Sequence, residues 1–62
     1  MQYYEIRIFN DRGRSSLVFH RLLLNDFTAI RAAEEIAEDR AFEVWRGMDC
    51  VHAARAKSDP LQ

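Results

Sequence analysis

The chain has a single cysteine, Cys50, so no internal disulfide can form and a reducing compartment, the cytoplasm, is the expected location. Long apolar runs are missing as well. Leu22-Leu23-Leu24 is the longest candidate, against the roughly 20 residues a membrane span needs. The stretch from Met1 to Glu5 lacks the basic region and apolar segment of a signal peptide, so no leader is expected. An excess of either charge is also absent: nine Lys and Arg stand against ten Asp and Glu, a net charge of -1. Binding to a nucleic-acid backbone normally comes with a clear basic excess. There is no phosphate-binding glycine loop, no Cys-x-x-Cys and no His-Glu-x-x-His. One cysteine and two separated histidines, His20 and His52, fall short of the three or four ligands of a zinc site. These absences point away from an enzyme, a metal protein or a cofactor binder.

What remains is one small domain of 62 residues. Area scaling has a chain of this size bury about 6,000 Å² on folding. If about half is apolar, burial contributes on the order of 80 kcal/mol at ~25 cal/mol per Å². Ordering the domain costs roughly 75 kcal/mol at ~1.5 per residue. So close a balance favours burying further surface against a second copy.

The pattern of side chains predicts strand, strand, helix, strand, strand. Residues 3 to 9 alternate, with Tyr4, Ile6 and Ile8 on one face and Tyr3, Glu5, Arg7 and Phe9 on the other. Asn10 to Arg14 reads as a hairpin turn, Gly13 supplying the positive φ of a closing bulge. With a three-residue loop, Asn10 faces Arg14, Ile6 opposes Val18 and Tyr4 opposes His20. Val18, His20, Leu22 and Leu24 then share the Ile6 face, and Leu17, Phe19, Arg21 and Leu23 the Arg7 face. A shift of one residue swaps these sets, and both are apolar.

Asn25-Asp26 stops the strand and caps a helix. From Phe27 to about Asp39, Ala29, Ile30, Ala33, Ile36 and Ala37 gather on one arc, with Arg31, Glu34, Glu35, Glu38 and Asp39 opposite. No glycine follows, so the C-terminal boundary is open by a few residues. Residues 42 to 46 form a third strand, and Gly47-Met48 fits a two-residue turn. That turn pairs Arg46 with Asp49, Trp45 with Cys50, Val44 with Val51 and Glu43 with His52. The expected fold is α+β, a ββαββ unit whose largely antiparallel four-stranded sheet carries one helix on one face. It spans residues 1–55, with 56–62 as a frayed polar tail.

The Glu43-Val44-Trp45-Arg46-Gly47 turn follows an Ala-rich helix and an opening Tyr-Tyr-Glu-Ile-Arg strand. In this the chain resembles a group of small uncharacterised alphaproteobacterial proteins with no assigned activity. The resemblance covers about residues 3 to 55. It implies a compact α+β domain and carries over no catalytic residue.

Two readings of chemistry follow from the residues. Cys50 and His52 are two apart on one strand and so expected on one face, with His20 near in space. A thiolate beside an imidazole is a nucleophile's arrangement. Two residues along a strand span about 6.5 Å, however, too far for an easy direct hydrogen bond. The structural reading, His52 facing Glu43 and His20 half-buried beside Tyr4, is preferred.

The second reading concerns the face away from the helix. It is expected to carry Tyr3, Arg7, Phe9, Leu17, Phe19, Arg21, Leu23 and Trp45. Aromatics and arginines are enriched in interface cores, and a two-fold homodimer is the commonest way to cover such a patch. The same face could instead stack unpaired bases of a single-stranded nucleic acid. The expectation is therefore a non-enzymatic homodimerising interaction or regulatory module, with nucleic-acid binding, or a different protein partner, as the alternative.

Overall fold

Two hairpins flank one helix in a computed structural model that describes residues 1–57. The elements are β1 (Gln2–Phe9), β2 (Ser15–Leu23), α1 (Asp26–Ala37), β3 (Phe42–Arg46) and β4 (Asp49–Ala54). All neighbours pair antiparallel in the order β2-β1-β3-β4, the α+β ββαββ architecture expected from the pattern. After the first hairpin, α1 carries the chain across β1 and sets β3 on its free side. The two inner strands are those with the most complete apolar face: Tyr4, Ile6, Ile8, Phe42 and Val44 are all at most 4% exposed.

The helix starts where a cap is available. Asn25 is extended, and its side chain accepts the Thr28 N–H at 2.8 Å, while its carbonyl accepts the Ala29 N–H at 3.0 Å. Ala29, Ala33 and Ala37 form the buried stripe, each 0% exposed, and their small side chains let the helix lie close to the sheet. Ile30 and Ile36 pack at its sides. With no glycine to end it, the helix closes on Glu38 at φ +59°, ψ -113°, a region that only glycine enters freely. Arg40 secures this ending by donating to the carbonyls of Ala37 (3.2 Å) and Ile36 (3.4 Å). Its guanidinium supplies the positive charge that the last helical turn lacks.

Both turns form at the expected residues. Gly13 has φ +77° and donates to the Asn10 carbonyl, and Asn10 donates to the Arg14 carbonyl at 2.8 Å. The Asn10 side chain accepts the N–H groups of Arg12 and Arg14, which fixes the loop. Gly47 takes φ +63°, and beyond it Arg46 faces Asp49 and Trp45 faces Cys50.

Past the turns the register departs from expectation, in the same way in both hairpins. A bulge lies between Ile8 and Phe9, where β2 inserts Ser16. Its hydroxyl donates to the Ile8 carbonyl at 3.2 Å. Ile6 therefore faces Phe19 and Tyr4 faces Arg21, not Val18 and His20. A second bulge between Val44 and Trp45 leaves Val51 as the extra residue, so Val44 faces His52 and Glu43 faces Ala53. Each extra residue turns the rest of its strand over.

The expected helix-facing positions of Tyr4, Ile6, Ile8, Phe42 and Val44 are those observed, and Val51 packs against the core. Val18 and Leu22 are on the open face instead, and Leu24 lies beyond the end of β2. Of the expected tail, Ala56 is half-buried and the Lys57 N–H donates to the Asp39 carbonyl at 2.8 Å. The remainder of the expected tail, 58–62, lies outside the described residues.

Candidate interaction surface

The sheet face away from α1 is organised around charge. One row across it reads His20, Glu5, Trp45, Cys50, and the next reads Val18, Arg7, Glu43, Ala53. Arg7 donates through Nε to Glu5, and its Nη1 lies 3.9 Å from Glu43 Oε1. The Trp45 indole N–H donates to the same Glu43 oxygen at 2.9 Å, and the Arg7 guanidinium stacks 4.6 Å over the Trp45 ring. His20 Nε2 sits 3.4 Å from Glu5 Oε1. The Arg7 hydrogen bond, with His20 adding to it, holds the Glu5 carboxyl below its ordinary range. Trp45, expected on the open face among aromatics and arginines, is tied into this half-buried network.

The eight residues expected on this face are therefore divided. Tyr3, Arg7, Phe9 and Trp45 are there. The Ser16 bulge sends Leu17, Phe19, Arg21 and Leu23 to the helix side, where the Arg21 guanidinium lies 5.2 Å from the Phe19 ring centre. The aromatic and arginine array that could hold a single strand is thus split between two faces. Its one arginine on the open face, Arg7, is flanked by two carboxylates.

Exposed apolar side chains concentrate on β2 and its connection to the helix. On the open side are Val18 (50% exposed) and Leu22 (55%), beside Tyr3 (70%); on the helix side is Leu17 (41%). Leu24 and Phe27 follow at the β2–α1 junction, both more than half exposed. Only Phe19 and Leu23 of β2 reach even partial burial. The apolar series on both faces of β2 was visible in its composition. What no residue in it announces is that β2 is an edge strand, which is why its open-face series is bare and its helix-side series only partly covered.

A second cluster holds helix to sheet. Asp26, the first residue of α1, accepts the Tyr4 hydroxyl at 2.5 Å and Arg46 Nη1 at 2.7 and 2.6 Å. Strands β1 and β3 and the helix N-terminus thereby meet at one carboxylate. The Tyr4 hydrogen bond and then Arg46 hold the Asp26 carboxyl below its ordinary 3.8, and the same carboxylate raises Tyr4 above 10.0.

The sign of the pH dependence follows. A depressed carboxyl contributes stability above its ordinary pKa that is lost as pH falls through the depressed value. Stability should therefore fall on acidification below about 4.5, where Glu5 ordinarily titrates, and further below 3.8 for Asp26. The raised Tyr4 acts oppositely, its contribution being lost as pH climbs past 10.0. Asp26→Asn is expected to lower the melting temperature at pH 7 and to flatten the dependence below 3.8. Thermal melts across pH 2 to 7 read both effects, and a variant with the wild-type slope would contradict this role.

The Cys50–His52 pair does not form a site. Because of the Val51 bulge, Cys50 is on the open face while the His52 ring lies on the helix side, 5.6 Å from Phe42. The Cys50 thiol donates to the His52 main-chain carbonyl at 3.5 Å. His20 is exposed beside Glu5, not half-buried next to Tyr4. Among the described residues no three His, Cys, Asp or Glu side chains gather to hold a metal ion. No helix among them is long and apolar enough to cross a membrane.

A half-open cleft of about 450 Å³ lies between the first turn and the α1–β3 connection, lined by Phe9, Asn10, Asp39 and Arg40. Its guanidinium is already committed to the helix carbonyls. Comparison of the chain with family models, with curated proteins and with solved structures finds no match.

Proposed function

We propose that this protein is a non-enzymatic cytoplasmic interaction module that acts as a homodimer. The observation that carries the reading is the exposed apolar surface of β2, with Leu17, Val18 and Leu22 all more than 40% exposed in a strand of nine residues. Clusters of this kind on small proteins mark contact surfaces. A second copy is the occupant best matched to a chain whose own core is so slight, since a shared interface adds the burial that one copy lacks. The ladder of Glu5, Arg7 and Glu43 on the neighbouring inner strands supplies charges of both signs. Such a ladder discriminates among partners more than it adds affinity.

Sedimentation equilibrium tests this directly. Wild-type protein is expected to be dimeric at micromolar concentration, and Leu22→Arg monomeric with an unchanged circular-dichroism spectrum, because Leu22 lies outside the core. A wild-type chain that stays monomeric up to about 100 µM would overturn the reading. The nucleic-acid alternative has no observation in its favour, given that Arg21 faces the helix side. Short single strands are expected to leave Trp45 fluorescence unquenched even at low salt, and quenching that weakens steeply with salt would revive it.

A further inference from the structure

Two edges end this sheet, and they differ. The β4 edge is six residues long, is interrupted by the Val51 bulge, begins with Asp49 and runs on to Arg55 and Lys57. Short length, a bulge and flanking charge are the devices by which an edge avoids pairing with another chain. The β2 edge is guarded less: its interior holds one full charge, Arg21, and no bulge. It is nine residues long, contains no proline, and has its bulge only at the turn end. Beyond Ser16 it runs unbroken from Leu17 to Leu23, with Leu17, Phe19 and Leu23 sharing one face with Arg21, and Val18 and Leu22 sharing the other with His20. Its outer main-chain groups face no other strand, and of them the His20 carbonyl accepts Arg21 Nη1 at 3.2 Å.

We infer that two copies of this chain join through their β2 edges, antiparallel about a two-fold axis, to make one continuous eight-stranded sheet. This rests on the homodimer proposed above and adds its geometry. The strand is self-complementary in the register that uses its whole length, which is centred on Phe19. There Phe19 meets the partner's Phe19, Val18 meets the partner's His20, and Leu17 meets the partner's Arg21. The only full charge within β2, Arg21, then faces an aliphatic side chain. A register centred on Arg21 would set two guanidinium groups against each other, a like-charge pair that cross-strand packing disfavours. Aromatic side chains directly opposite one another are among the favourable cross-strand pairs. A face-to-face sandwich would cover Val18 and Leu22 but leave the β2 edge and Leu17 bare. It would also press the Glu5–Arg7–Glu43 ladder of one copy against that of the other.

The lone cysteine reports on this arrangement. Cys50 is exposed and lies in the same cross-sheet row as Trp45, Glu5 and His20, one residue from the centre of β2. In an edge-joined dimer the two Cys50 positions are separated by seven inter-strand steps of ~4.8 Å, about 34 Å, with little offset along the strands. In a face-to-face dimer both sit on the buried face, and sheets ~10 Å apart bring them within about 20 Å.

A nitroxide on Cys50 of the full chain, read by pulsed dipolar spectroscopy with sedimentation of labelled and unlabelled protein, separates the outcomes. A dimer with a distance centred near 34 Å supports edge pairing. A distance under about 20 Å, or a dimer that forms unlabelled and is lost on labelling, overturns edge pairing and leaves the homodimer standing. A monomer before and after labelling overturns both, and leaves the β2 edge to an extended segment of another protein. A second variant guards against misreading: Phe19→Arg, which would oppose two charges at the axis, is expected to abolish the dipolar signal in edge-joined dimers. A folded Phe19→Arg variant that keeps the wild-type distance also overturns the inference.

Discussion

Ile6→Ala is expected to remove about half of the protein's folding stability. Ile6 is 0% exposed, and it sits on an inner strand between Phe19 of β2 and Val44 of β3. Truncating a buried isoleucine costs about 2–5 kcal/mol, the lost transfer energy plus the cavity left behind. A domain of this length holds roughly 3–9 kcal/mol in total at ~0.05–0.15 per residue. One side chain therefore carries a large share of the whole.

At about 4–8 °C per kcal/mol for so small a domain, the melting temperature should drop by about 8–40 °C. Ile6→Val is the graded control, at about 0.5–1.5 kcal/mol. Melts followed by circular dichroism decide the matter, and an Ile6→Ala chain as stable as Ile6→Val would show that the core sits elsewhere. If the chain dimerises, all of these melting temperatures rise with protein concentration, because association stabilises the folded state by mass action.

Ala33→Leu is expected to cost about 1–3 kcal/mol although it adds apolar surface, the usual penalty for overfilling a packed core. Ala33 is in the middle of the buried stripe, 0% exposed, in one cluster with Ile6, Ile8 and Val44. A leucine there has no room unless the helix lifts from β1 and β3. Lifting would also pull Asp26 away from Tyr4 and Arg46, which anchor the N-terminal end of α1. The same exchange at Ala32, only half-buried, should be far milder. A stability equal to or above wild type in Ala33→Leu would mean that the helix does not lie close to the sheet.

Much of this was legible in one dimension. The Tyr4-Ile6-Ile8 and Phe42-Val44 alternations, the Asn25 cap and the alanine arc each carry a local signal, a period of 2 or 3.6 or a capping oxygen, that neighbours in sequence suffice to state. The two glycines marked both turns for the same reason, and the pairs nearest each turn, Asn10 with Arg14 and Trp45 with Cys50, followed from loop length. The register beyond did not follow. Ser16 and Val51 look like ordinary strand residues, and nothing next to them says that each is the one left unpaired. A bulge is chosen by which face the following residues must reach. Phe19 and Leu23 are drawn to the helix side by a helix that lies several residues further along the chain.

The candidate surface divides along the same line. That one strand carries two apolar series was plain from Leu17 to Leu23. That Arg7 lies between Glu5 and Glu43 was not, because it required β1 and β3 to be neighbours.

By itself, the sequence determined the element order, the caps, the turns and the apolar faces of β1, β3 and α1, since local periodicity and backbone preference settle each of them. Only the tertiary structure decided that β1 and β3 lie inside, that both hairpins bulge, and that β2 is left at an edge. Those outcomes depend on which distant faces compete for the one helix, and a single helix buries the inner strands fully and β2 only in part. The strand left over is the one on which the chain's partnership rests.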